Sequence, residues 1–149
     1  MAGAEHAAFD TRWLSLREPV DHRSRSGRLI NILVRSRPEF GSWRILDLGS
    51  GTGSNLRYIA PRIPAPQEWT LLDRDPALLE EAGSGEPPVR VRTIVGNLAS
   101  EGLGLVAGSH LVTASALLDL VSRCWLTRLV TSCRTHGCAV LFSLTYNGE

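Results

Sequence analysis

Residues 43–60, WRILDLGSGTGSNLRYIA, carry the tightest constraint in this chain. Gly49, Gly51 and Gly53 alternate with small polar residues directly after a largely apolar run. Glycine reaches backbone conformations closed to other residues and weakens both strand and helix. The apolar run therefore ends as a strand at Leu48, and a helix begins only once the glycines have passed. That helix carries Leu56, Ile59 and Ala60 on one side until Pro61, Pro64 and Pro66 stop it. A strand, glycine loop and helix in this order leave backbone N–H groups free at the helix N-terminus, where a ligand can approach closely.

The alternation continues to the end of the chain. Residues 68–73 (EWTLLD) read as a second strand, and Asp75-Pro76 opens a short helix that stops at Gly83. Residues 83–88 (GSGEPP) are a loop, and 89–95 and 110–115 are the third and fourth strands. A helix over 122–135 places Leu126, Leu129, Val130 and Cys133 on one face, Gly137 ends it, and 138–145 is a fifth strand. The first third is helical instead. Phe9, Trp13 and Leu16 share a face ahead of a break at Pro19. A second helix from near Asp21 turns Leu29, Ile32 and Leu33 inward and ends before Pro38. Apolar strands separated by helices imply a mostly parallel sheet covered on both faces. The expected fold is a single Rossmann-like, doubly wound α/β domain over 1–149, with a helical N-terminal extension (1–42) and a five-stranded core (43–149).

Composition narrows the function classes. No apolar run approaches the ~18 residues that cross a bilayer. The N-terminus, MAGAEHAAFDTRWL, has charges where a signal peptide needs an unbroken apolar stretch. Cys124, Cys133 and Cys138 form an odd set without a CxxC pair or zinc-site spacing. They are expected to be reduced core thiols of a cytoplasmic protein without a metal site. All sixteen basic residues are arginine, which removes Schiff-base chemistry, a lysine base and a phosphate-loop lysine. The formal net charge is only +1, yet between Arg12 and Arg44 eight arginines face three carboxylates, a local excess of +5. Such an excess attracts an anionic substrate or nucleic acid; the plainer reading is two helices with solvated basic faces.

Asp47-Leu48-Gly49-Ser50-Gly51-Thr52-Gly53 resembles motif I of the class I S-adenosylmethionine-dependent methyltransferases, E/D-x-G-x-G-x-G. A dinucleotide-binding G-x-G-x-x-G read from Gly49 would need glycine or alanine at Ser54. A carboxylate two residues ahead of the first glycine offers nothing to a pyrophosphate, but it suits a cationic amine and sulfonium. The resemblance covers roughly residues 43–145 and implies the rest of a cofactor site. Asp73 stands where the family places an acid for the ribose hydroxyls. Asn97, followed by Leu98, stands where an Asp usually meets the adenine amine, and its carbonyl can accept the same bond without charge assistance. The segment HLVTASALLDLVS, with Ser115, resembles the family's fourth motif beside the methionine moiety; His110, where the family usually has Asp, is read as structural. The implied binding set is Asp47, Gly49, Ser50, Gly51, Gly53, Asp73, Asn97, Leu98 and Ser115, with S-adenosyl-L-methionine as cofactor and S-adenosyl-L-homocysteine as product.

The implied reaction is an in-line displacement in which a nucleophile attacks the sulfonium methyl. The donor carries its own activation, so the protein mainly supplies alignment and desolvation. Asp119, just past the fourth strand, is the candidate base for a hydroxyl or amine, with an ordinary helix-start carboxylate as the alternative. His22 titrates near neutrality and is expected on the surface. Arg17 and Arg25 either reach the cofactor carboxylate or an anionic substrate, or belong to the solvated basic face. Three readings stay open: transfer to a small-molecule N, O or C nucleophile, transfer to nucleic acid or protein, and a non-catalytic cofactor-binding or interaction module. Base-modifying members often carry Asn/Asp-Pro-Pro-Tyr/Phe at strand four, where Thr113-Ala114-Ser115-Ala116 stands here. The family usually has seven strands, and this sequence stops at Tyr146-Asn147-Gly148-Glu149, a turn signal just after the fifth. A fragment is therefore expected, with strand 138–145 as a bare edge that self-associates unless the N-terminal helices shield it.

Overall fold

The computed structural model describes residues 10–83, 85–86 and 88–144. Its sheet holds β1 (Trp43–Leu48), β2 (Gln67–Asp73), β3 (Val89–Val95), β4 (Leu111–Ser115) and β5 (Ala139–Ser143), all parallel, in the order β3-β2-β1-β4-β5. The chain runs outward from β1 to β3 and then returns to the other side of β1 for β4. Leu48 at the end of β1 is level with Leu72 of β2 and Ala114 of β4. The reversal makes this end of β1 and β4 a switch point, where doubly wound sheets bind ligands.

Side chains alternate across β1, sending Ile45 to one face and Leu46 and Leu48 to the other. On the first face, α2 (Gly27–Val34), α3 (Ser54–Ile59) and α4 (Pro76–Ala82) press Ile30, Leu33, Leu56, Ile59 and Leu79 against Trp43, Ile45, Trp69, Leu71 and Leu111. On the second, α6 (Arg123–His136) packs Trp125, Leu129 and Cys133 against Leu46, Leu48, Leu72, Val112 and Ala114. Beside it lies a helical stretch made of a π turn (Leu98–Gly102), α5 (Leu103–Leu105) and a 3-10 turn (Val106–Gly108). Buried Gln67 is fully used: its amide donates to the carbonyls of Ala60 and Ile63 at 3.0 Å, and its oxygen accepts the Trp69 indole N–H at 2.8 Å.

Several expectations change. The first helix, α1 (Thr11–Ser24), runs through Pro19 instead of breaking there. The lost N–H is offset by the Asp10 cap on Arg12 N and by polar contacts from Glu18 to Arg57 and from His22 to Ser54, on either side of the proline. Arg25 is extended, so α2 starts afresh at Gly27 and buries Ile30 and Leu33, leaving Leu29 and Ile32 48% and 49% exposed. Val130 faces solvent from α6, and Cys124 is exposed rather than core, while Cys133 is buried. All three thiols are free, and burial pushes that of Cys133 up to about 11. His110 accepts the Arg44 N–H at 3.0 Å, a structural role just ahead of β4. No periodicity announced the helical stretch over 98–108. Phe9, Thr145 and the Asn147-Gly148 turn lie outside the described residues. Among the described residues no strand pairs with the outer edge of β5, and no helix is long and apolar enough to cross a membrane.

Candidate functional site

A cavity of about 780 Å³ opens at the C-terminal ends of β1, β2 and β4. Asp47, Gly49, Ser50, Gly51, Asp73, Asn97, Leu98 and Ser115 all line it. Trp13, Leu14 and Arg17 of α1 close one side, and Leu117, Leu120 and Val121 add an apolar wall. Gly53 and Asp119, both singled out in the sequence, are not among its lining. Gly53 (φ +85°) is the left-handed N-cap of α3, where a Cβ would sit 3.2 Å from Ala82 Cβ. Asp119 is exposed on the turn after β4, which turns Leu117 and Leu120 toward the cavity instead.

The loop is stitched to the sheet. Ser50 N donates to Leu72 O at 3.0 Å and Gly51 N to Asp73 Oδ2 at 2.8 Å, while Asp73 Oδ1 accepts Asp75 N at 2.9 Å. Asp73 therefore shapes the loop as well as facing the cavity, with lone pairs left on both oxygens. Gly51 adopts φ +55°, and a Cβ there would meet no protein atom within 4 Å. Asn97 spends one lone pair of its side-chain oxygen on Ala99 N at 2.7 Å, capping the turn that follows β3.

Asp47 is the unusual group. It is 1% exposed, and its Oδ1 accepts Asn55 Nδ2 and Thr113 Oγ1, both at 2.9 Å. Its Oδ2 is buried without a partner, as is the Ser50 hydroxyl. Burial raises its pKa to about 6; the Asn55 and Thr113 hydrogen bonds and the Arg25 charge pull the other way, and the Asp73 charge adds to the rise. A carboxylate that has given up water and half its hydrogen bonds is costly unless a ligand completes it.

α1 buries no residue of its own and is held to this loop by polar contacts. Arg57 grips Glu18 with Nε at 2.9 Å and Nη2 at 2.5 Å, and reaches the Thr52 carbonyl at 2.5 Å. His22 is not a free surface residue: its Nε2 lies 3.0 Å from Ser54 Oγ, and its ring packs 5.1 Å from Tyr58. Desolvation lowers its pKa, and the charges of Arg25 and Arg57 add to this against Glu18. Arg25 donates to Asn55 Oδ1 and, at 3.3 Å, to Ser115 Oγ, with its guanidinium 4.7 Å from the Tyr58 ring centre. It stands behind the cavity lining. Arg17 does line the cavity, paired with Asp21 at 3.4 Å and stacked on Trp13. Sequence reading missed Asn55, Arg57, Glu18 and Thr113. The helical spacing of Glu18, His22 and Arg25 was the one visible signal for this docking face.

A 3-2-1-4-5 parallel sheet, with an acid before its glycine loop and a second acid ending β2, has the fold of the cofactor-binding half of class I S-adenosylmethionine-dependent methyltransferases. Solved structures similar to this chain bear that out. The apo form of the S-adenosylmethionine-dependent methyltransferase SibL is 25% identical with a TM-score of 0.57, over 87% of this chain and 36% of that one. The mitomycin 7-O-methyltransferase MmcR is 16% identical with a TM-score of 0.54, over 91% of this chain and 38% of that one. Phosphoethanolamine N-methyltransferase 1 of Haemonchus contortus, bound to phosphoethanolamine and S-adenosylhomocysteine, is 13% identical with a TM-score of 0.54, over 90% of this chain and 27% of that one. The chain thus spans 27% to 38% of the length of these three. No family model matches the sequence, and no curated protein does.

Proposed function

We propose that this chain binds S-adenosyl-L-methionine across its glycine loop and serves methyl transfer to an N, O or C nucleophile of a small molecule. The observation that carries the reading is Asp47 Oδ2, an unpartnered buried carboxylate oxygen of a residue that lines the cavity. With Asp73 on the same cavity, the site repels a pyrophosphate and suits a ligand offering a cationic amine and hydroxyl donors. The open space over Gly51 is the close approach such a ligand needs.

In this reading Asp47 and the Ser50 hydroxyl hold the polar methionine end, Asp73 takes the ribose hydroxyls, and Asn97 and Leu98 border the adenine. When bound, the cofactor supplies a methyl group activated by its own sulfonium charge. The chain's residues orient that group: Trp13 and Leu14 stand along one side of the cavity, and Leu117, Leu120 and Val121 form its apolar wall. That apolar wall supports a small-molecule acceptor, the class named for the mitomycin and phosphoethanolamine enzymes. Calorimetry with S-adenosylhomocysteine, S-adenosylmethionine and NAD tests the reading: the first two bind and NAD does not. Binding of NAD alone would overturn it. A methyl-transfer screen against metabolites, RNA and peptides then identifies the acceptor.

We also propose that the protein self-associates through the open edge of β5 and resides in the cytoplasm. Exposed Val140 and Leu144 at that edge support the first, and three free thiols support the second.

A further inference from the structure

Asp47 is tied to the N-terminal extension through Asn55. We infer that Arg25 is a positioning residue: by locking the carboxamide of Asn55 it holds Asp47 in orientation, so the segment ahead of β1 is part of the ligand site.

The wiring is directional. Arg25 donates only, so the Asn55 oxygen must face it, and the amide Nδ2 then has one way to point, at Asp47 Oδ1. Thr113 donates to the same oxygen from β4, which leaves Oδ2 as the free one. Asn55 borders the cavity but is only 3% exposed, so bulk water hardly competes for its amide. The groups facing Asp47 are neutral Asn55 from α3, neutral Thr113 from β4, the Asp73 charge from β2 and Arg25 from the linker between α1 and α2. Arg25 is the cation among them, and it offsets Asp73.

Its side chain is built for the task. The same Nη2 reaches Asn55 and Ser115, which joins the linker to α3 and to the end of β4, and the guanidinium carbon lies over the Tyr58 ring. An ammonium keeps the charge but loses the planar fork of donors. Asp47 then acts on the ligand, while Arg25 acts through Asn55 without lining the cavity. The ligand part rests on the function proposed above; the part concerning Asp47 does not.

Carboxyl ¹³C NMR of the six aspartates separates the two, with Asp47→Asn assigning the resonance. The Asp47 midpoint moves up by about one pH unit in Arg25→Met, and in the same direction in Asn55→Ala. Arg25→Lys gives an intermediate value. A midpoint in Arg25→Met within about 0.2 of the parent overturns the inference; if that variant fails to fold, Arg25→Lys and Asn55→Ala decide it by the same titration. Calorimetry with S-adenosylhomocysteine adds a second readout: about fivefold weaker binding in Arg25→Met at pH 6, recovering as pH rises. A parent protein that binds none of it counts against the proposed function, and the titration still decides the role of Arg25.

Discussion

At the scale of single residues, Asp47 sets stability against binding. Its pKa is raised to about 6, above the ordinary 3.8, so the folded chain holds its proton more tightly than the unfolded one. Stability contributed by that proton is complete below about pH 4 and is lost as pH rises through 6. Asp47→Asn is therefore expected to melt higher than the parent at pH 7.5, by up to about 3 kcal/mol, with the gap closing below pH 4. Thermal unfolding across pH checks this. The same variant should lose S-adenosylhomocysteine affinity, because the amide turns a donor toward the ligand's cation. Asp73→Ala removes a charged acceptor at about 1.5–3 kcal/mol, so at least about tenfold weaker binding is expected by calorimetry. Because Asp73 also holds Gly51 N, the variant's glycine loop should show faster amide exchange. Gly51→Val fills the open approach and strains a positive φ; binding should vanish while circular dichroism stays near native.

At the scale of elements, α1 is a helix attached by charge and hydrogen bonding. Lacking a buried residue, it draws little from the hydrophobic effect, and its hold on the loop rests on Glu18, His22 and the Arg57 grip. The hydrogen bond from Arg57 is the main cause that keeps the Glu18 carboxyl below its ordinary 4.5. That stabilisation is present above the ordinary value and is lost as pH falls below it. Hydrogen exchange should show α1 losing protection below about pH 4.5 while the sheet stays protected. Glu18→Gln should show the same loosening at pH 7. The global cost stays within about 1 kcal/mol, since the pair is partly exposed.

At the scale of the whole molecule, β5 is a sheet edge with no second neighbour among the described residues, and Val140 is 48% exposed on it. A lysine there discourages edge pairing, so Val140→Lys should shift sedimentation toward monomer; a parent that is already monomeric at tens of micromolar overturns self-association. The five strands, helices α3, α4 and α6, and the acids at 47 and 73 were legible in the sequence. They depend on local periodicity, on glycines that admit one kind of turn and on caps such as Asp75 and Ser122. The continuation of α1 through Pro19, the inward face of α2 and the stretch over 98–108 were not legible, since packing overrode or replaced the local signal. Thr113 meets Asp47 only through parallel register across 66 residues, and Arg25 meets Asn55 and Ser115 only once α1 has docked. Chemistry coded in neighbouring residues could be read in order along the chain. The bare oxygen of Asp47 was decided by the tertiary structure, because burial and hydrogen-bond geometry depend on partners that only folding brings together.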